Sequence, residues 1–182
     1  ISTAACGSDV WDTTIVVRAR PTVNVIAEDV ICVGDVITPS ATVSENGCAV
    51  TSYDWSFPGG IPSSFSGLIP PLVTYNTAGT YSVSFTTGSC CGPTTTSHVL
   101  TVEGFVNVNI PDVLELCVGD PCEVLSGFPA GCTWSQNGIP VPANQFCPTV
   151  TGTFQLIYTC GSADCPSSDT MTIIVHPLPP IN

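Results

Sequence analysis

The tetrapeptide Cys-Val-Gly-Asp occupies 32–35 and returns at 117–120, 85 positions further on. A second pair of landmarks follows each copy. Gly79-Thr80-Tyr81-Ser82-Val83-Ser84-Phe85 matches Gly152-Thr153-Phe154-Gln155-Leu156-Ile157-Tyr158. Tyr81, Val83 and Phe85 share one face, as do Phe154, Leu156 and Tyr158, the period-two signature of a strand. One tryptophan lies between the landmarks in each copy, Trp55 and Trp134. A chain that repeats in this way folds as successive copies of one unit. A partial copy opens the sequence: Cys6-Gly7-Ser8 and then Asp12 to Val17 parallels Cys160-Gly161-Ser162 and then Asp169 to Val175.

The repeats predict four segments. Residues 1–20 read as the final strand of a preceding module or as a donor strand. Residues 21–103 form the first full module, 104–176 the second, and 177–182 the linker to a next one. The simplest organisation is a window of a long tandem array in which two dissimilar modules alternate. Each module has roughly 70 to 80 residues, a small core that is marginal without staples.

Val, Ile and Thr make 58 of the 182 residues, and these residue types favour pleated, half-buried surfaces. The fold class expected is all-β, tandem β-sandwiches stapled by disulfides, with helix nearly absent. In the first module strands are expected near 23–26, 36–43, 52–57, 72–75, 80–87 and 95–102. The stretch 61–71, with three prolines, reads as a loop. In the second module they are expected near 106–110, 122–125, 133–136, 153–159 and 170–175.

The charge balance excludes whole classes of function. Arg18 and Arg20 are the only basic residues besides two histidines, against 14 carboxylates, for a formal net charge of −12. Phosphate neutralisation needs clustered Lys and Arg, so nucleic acid is not an expected partner. No apolar run approaches a membrane span, so membrane insertion is not expected either.

The residues Tyr53-Asp54-Trp55-Ser56-Phe57-Pro58-Gly59-Gly60, then Val73-Thr74-Tyr75-Asn76-Thr77-Ala78-Gly79-Thr80-Tyr81-Ser82-Val83-Ser84-Phe85, resemble a PKD (polycystic kidney disease) domain. The family's acidic positions after the tryptophan are Ser56 and Pro58-Gly59-Gly60 here. The second module, with Cys-x-Gly-Asp, Trp134 and Gly-Thr-Phe, is similar to a bacterial immunoglobulin-like module. Cysteine-containing arrays with Pro-Leu-Pro linkers resemble the giant surface adhesins of Bacteroidetes, the gliding-motility adhesins among them. The resemblance implies an exported structural protein of the cell surface.

Eleven cysteines among turn and strand residues point to an oxidising, extracellular compartment. Cys6 is expected in an inter-module or inter-chain bond. The first module then holds Cys32, Cys48, Cys90 and Cys91, and the second Cys117, Cys122, Cys132, Cys147, Cys160 and Cys165. Both counts are even, which favours disulfides within each module. Cys48 is expected to reach Cys90 or Cys91, with Cys32 taking the remaining one. Cys132 is expected to reach Cys160 or Cys165. A zinc site on Cys117/Cys122 and Cys160/Cys165 is the weaker alternative.

No cofactor and no catalytic residue is expected. Fourteen scattered carboxylates give no facing pair for acid–base work, and His98 and His176 have no nucleophile in sequence context. Asp35 and Asp120, in matching Gly-Asp turns, are the candidates for calcium. Trp55 and Trp134 read as core, whereas Trp11 and the 61–71 loop are where surface glycans would bind. Asp12-Thr13-Thr14 and Asp169-Thr170-Met171 resemble the Bacteroidetes O-glycosylation sequence, which makes Thr13 and Thr170 candidate acceptors. The leading expectation is a non-enzymatic extracellular stalk or filament whose partners are neighbouring modules or identical subunits. The alternatives are a carbohydrate- or surface-binding accessory module and a donor-strand-assembled filament subunit.

Overall fold

The computed structural model describes residues 13–179. The chain is all-β, two β-sandwiches in tandem, each with its own core. Residues 13–20 carry no strand, and Cys6 and Trp11 lie outside the described residues.

The first sandwich has ten short strands: β1 (Thr22–Ile26), β2 (Val30–Cys32), β3 (Val36–Ile37), β4 (Ser40–Ser44), β5 (Val50–Ser56), β6 (Gly60–Ile61), β7 (Ser64–Ser66), β8 (Val73–Tyr75), β9 (Gly79–Ser89) and β10 (Thr94–Glu103). One layer is a five-stranded sheet in the order β2-β10-β9-β5-β7, with β2 parallel to β10 and the other pairs antiparallel. The pairs β1-β4 and the small sheet β3-β8-β6 complete the module. The second sandwich continues with β11 (Val113–Cys117), β12 (Glu123–Val124), β13 (Thr133–Gln136), β14 (Ile139–Pro140), β15 (Gln145–Phe146), β16 (Gly152–Gly161) and β17 (Pro166–His176). Its main sheet runs β11-β17-β16-β13-β14, and β12 pairs with β15. The 3-10 turn Pro142–Asn144 is the one helical element among the described residues.

Alternation along the long hairpins builds the cores. On β9, Val83, Phe85 and Thr87 are buried; on β16, Leu156, Tyr158 and Cys160 are buried in the same sequence of positions. Each tryptophan lies on the strand beside its hairpin and packs on the residue directly across from it. Trp55 pairs with Phe85, ring centres 4.6 Å apart, and Trp134 with Tyr158, 4.8 Å apart. Such aromatic pairs add roughly 1 kcal/mol beyond the area they bury.

The strand expectations need four corrections. The stretch near 36–43 is split into β3 and β4 around Thr38-Pro39, because Pro39 has no N–H to extend a ladder. The 61–71 loop contains β7, which pairs with β5 through Trp55↔Phe65. Residues 106–110 form no strand; one bridge, Asn109↔Phe128, is their only ladder contact among the described residues. Val106, Val108 and Ile110 still turn towards the core. Strands β2, β6, β11, β14 and β15 had no sequence expectation, and β2 and β11 both end on the cysteine of a Cys-Val-Gly-Asp turn.

Candidate functional site at the module junction

The Cys-Val-Gly-Asp sequence closes the same turn twice. The Asp35 carboxylate accepts the Cys32 N–H at 3.0 Å, and the Asp35 N–H returns to the Cys32 carbonyl at 3.0 Å. Asp120 does both for Cys117, at 2.7 and 3.1 Å. The glycine between them has φ +92° at Gly34 and +89° at Gly119, a left-handed conformation that only glycine adopts without strain. The two aspartates that were candidates for calcium therefore close their own turns.

Parallel pairing places each turn at the C-terminal edge of its module. Cys32 stands opposite Glu103, the last residue of β10, and Cys117 opposite His176, the last residue of β17. Val33 N–H bonds to the Glu103 carbonyl at 2.8 Å, and Val118 N–H to that of His176 at 2.9 Å. The first module thus offers Cys32 and Glu103 at the edge from which the chain leaves for the second.

The second module meets that edge with its β16–β17 turn. Cys165, in this turn, is bonded to Cys32, with Cα atoms 5.6 Å apart and 133 positions between them in sequence. Cys165 is 1% exposed and Cys32 9%, so the bond is buried in the junction. Beside it the Ser162 hydroxyl donates to the Glu103 carboxylate and accepts the Cys165 N–H at 3.0 Å. One covalent bond and one charge-assisted hydrogen bond therefore join the modules in addition to the peptide linker.

The disulfide expectations require correction here. Cys32 does not take the remaining cysteine of the Cys90/Cys91 pair; it bonds across the junction, because its turn lies at the end of the module opposite to theirs. The even counts therefore do not mean closed modules. Cys48 is bonded to Cys91, Cys122 to Cys147 and Cys132 to Cys160. Among the described residues Cys90, exposed, and Cys117, half-buried, are free thiols bonded to no other cysteine. The zinc alternative on Cys117, Cys122, Cys160 and Cys165 fails as well. Three of those four sulfurs are bonded to three different cysteines, Cys147, Cys132 and Cys32.

The repeat alone does not point to the junction bond. Cys32 and Cys117 are equivalent, so a partner outside the module was as available as one inside. Ser162 and Glu103 carried no signal; their meeting depends on how the two modules abut.

The other candidates fall elsewhere. Thr13 and Thr170 are exposed. His98, on β10, lies 3.1 Å from the Asp29 carboxylate and 3.2 Å from the Glu28 carbonyl oxygen. His176 lies 3.3 Å from Glu115. Neither histidine meets a nucleophilic side chain in these contacts. A cavity of about 650 Å³ lies between the β13–β14 hairpin and the 3-10 turn, lined by Gln136, Ile139, Pro142 and Phe146 among others.

Residues 18–104 match the model of the PKD domain family. No curated protein matches the chain. Among solved structures, the fibronectin(III)-like modules of CbhA from Clostridium thermocellum are similar at 15% identity and a TM-score of 0.41, covering 86% of this chain and 95% of that one. An I-band fragment of titin is similar at 12% identity and a TM-score of 0.49, covering 88% of this chain and 67% of that one. The first module, a β-sandwich in which Trp55 packs on Phe85, is thus PKD-like, and it leads a tandem pair of β-sandwiches.

Proposed function

We propose that the chain is a non-enzymatic structural unit of an extracellular stalk or filament, of the bacterial cell-surface adhesin type that its sequence resembles. The observation that carries this reading is the Cys32–Cys165 bond, which ties two independent cores into one covalent body. A binding module needs a surface; a load-bearing module needs its neighbours held in register. The chain spends a buried disulfide and the Glu103–Ser162 hydrogen bond on register.

Composition supports the same reading. The four disulfides suit an oxidising compartment. The absence of lysine removes most sites for trypsin-like proteases. Pro177 and Pro179 stiffen the stretch that leaves the second module.

Electron microscopy of the native material, beside mass analysis under denaturing, non-reducing conditions, tests the proposal. Thin, regularly beaded rods are expected. Globular particles that retain a glycan on an array while forming no rods would replace this reading with the accessory binding module.

A further inference from the structure

Cys90 and Cys117 are the two free thiols among the described residues, and their positions are not arbitrary. Cys117 occupies in the second module the place that Cys32 occupies in the first. It ends the strand parallel to the final strand, stands opposite that strand's last residue, and has its N–H held by the aspartate of a Gly-Asp turn. Cys90 lies in the first module's counterpart of the turn that holds Cys165. The two turns read Gly88-Ser89-Cys90-Cys91-Gly92-Pro93 and Gly161-Ser162-Ala163-Asp164-Cys165-Pro166. Each serine hydroxyl accepts an N–H from within its own turn, Cys91 at 3.2 Å on Ser89 and Cys165 at 3.0 Å on Ser162. In the first module Cys91 is taken by Cys48, which leaves Cys90 facing solvent.

A second observation places a junction at this turn. Glu103, the residue that ends β10, rests against the second module's turn through Ser162. Arg18 holds the equivalent place in the segment leading into the first module. Its carbonyl oxygen lies 3.9 Å from the Cys91 sulfur, and its guanidinium donates to the Gly47 carbonyl at 2.9 Å. The chain therefore comes into the first module past the Cys90 turn, much as it comes into the second past the Cys165 turn.

We infer that Cys117 and Cys90 are the two halves of one inter-module disulfide, the counterpart of Cys32–Cys165. It links the second module of one copy to the first module of the next. This rests on the structural reading above and names the partner: a second copy of this chain, offering the Cys-Val-Gly-Asp edge to the Gly-Ser-Cys-Cys turn. Forming the bond removes two protons and two electrons from the two thiols. A small-molecule disulfide such as oxidised glutathione accepts both and leaves as two thiols. Every junction along such an array is then covalently closed, alternately by Cys32–Cys165 and Cys117–Cys90.

The test is a tandem fusion in which residues 1–182 run directly into residues 25–182 of a second copy. The register comes from the sequence: His176 to Asn182 aligns with Arg18 to Asn24. Cys6→Ser is included so that the eleventh cysteine cannot contribute. One fusion carries Cys90→Ser in the first copy and Cys117→Ser in the second, which leaves the adjacent pair. The other carries the reverse substitutions and leaves the distant pair. Both are folded in a glutathione buffer, alkylated and digested, and the Cys32–Cys165 peptide in each copy reports correct folding. The adjacent-pair fusion is expected to fall from two alkylatable thiols to none and to yield a Cys117–Cys90 peptide. The distant-pair fusion is expected to keep both thiols. Two free thiols in a correctly folded adjacent-pair fusion would overturn the inference. Small-angle scattering on that sample separates the two failures: a single extended rod leaves the structural reading standing, and freely tumbling copies remove both.

Discussion

Cys32 and Cys165 sit in different β-sandwiches and are bonded to each other. The loop they close contains nearly all of both modules, so neither sandwich can unfold fully without respecting the other's end point. In the chain-entropy model a loop of this length restricts the unfolded state by about 5 kcal/mol.

Replacing Cys32 by serine should therefore uncouple the modules without emptying either core. Urea unfolding of the intact chain is expected to be a single transition or two closely spaced ones. The Cys32→Ser chain should show two resolved transitions, with a total loss of up to about 5 kcal/mol. Unchanged curves would mean that the bond constrains nothing beyond the linker.

Trp134 is 2% exposed and packs on Tyr158 across the strand pair β13–β16. Trp134→Ala removes this contact and leaves a cavity, at a cost of about 3–5 kcal/mol. That is as much as a single core of this size supplies. Circular dichroism with limited proteolysis should show the second module lost and fragments of the first retained. Loss of both together would mean that the modules share a folding unit.

Tyr75 gives the first module an alkaline limit. Its ring is fully buried beside Tyr81, and its hydroxyl has no hydrogen-bond partner. Burial, with a smaller contribution from the Tyr81 charge, pushes its pKa above the ordinary value of 10.0. The folded state thus binds this proton more tightly than the unfolded state does. The stability so gained is complete below about pH 10 and is lost as pH rises through the folded value. Tyr75→Phe should equal or exceed the parent in stability at pH 8, since it removes an unsatisfied hydroxyl. It should also lose less between pH 8 and pH 10.5. Equal losses in the two proteins would assign the alkaline limit to another group.

What the sequence made legible followed from periodicity. Strands β9 and β16 and the C-terminal halves of β10 and β17 are runs in which every second side chain is apolar, and such runs declare both strand and inward face. The missed strands β2 and β11 are short and end on a turn, so alternation had little length in which to appear. For 106–110 the alternation reported the buried face correctly. It could not report whether a second backbone lay within hydrogen-bonding reach, and for most of that segment none does. The junction was the least legible part. Parity of cysteine counts is an argument about closed modules, and Cys32 is bonded outside its module. Only the parallel pairing of β2 with β10, which carries the turn to the module's exit edge, explains why.

The Gly-Asp turns yield a test of calcium dependence. Asp120 already accepts the Cys117 N–H, and Asp120→Ala should cost about 1 kcal/mol through that lost bond. Calcium or a chelator should leave the melting temperature of the parent unchanged. A calcium-induced rise that Asp120→Ala abolishes would turn this turn from a structural cap into a cation site.

Pulling single molecules by their ends tests the covalent locking of the two modules most directly. Only the segments before Cys32 and after Cys165 lie outside the closed loop, roughly 50 residues or about 170 Å of extended chain. Under oxidising conditions the total extension released should stop near that length. After reduction it should rise severalfold as both sandwiches open. An oxidised chain that releases the full length of two modules would show that Cys32 and Cys165 do not hold them together.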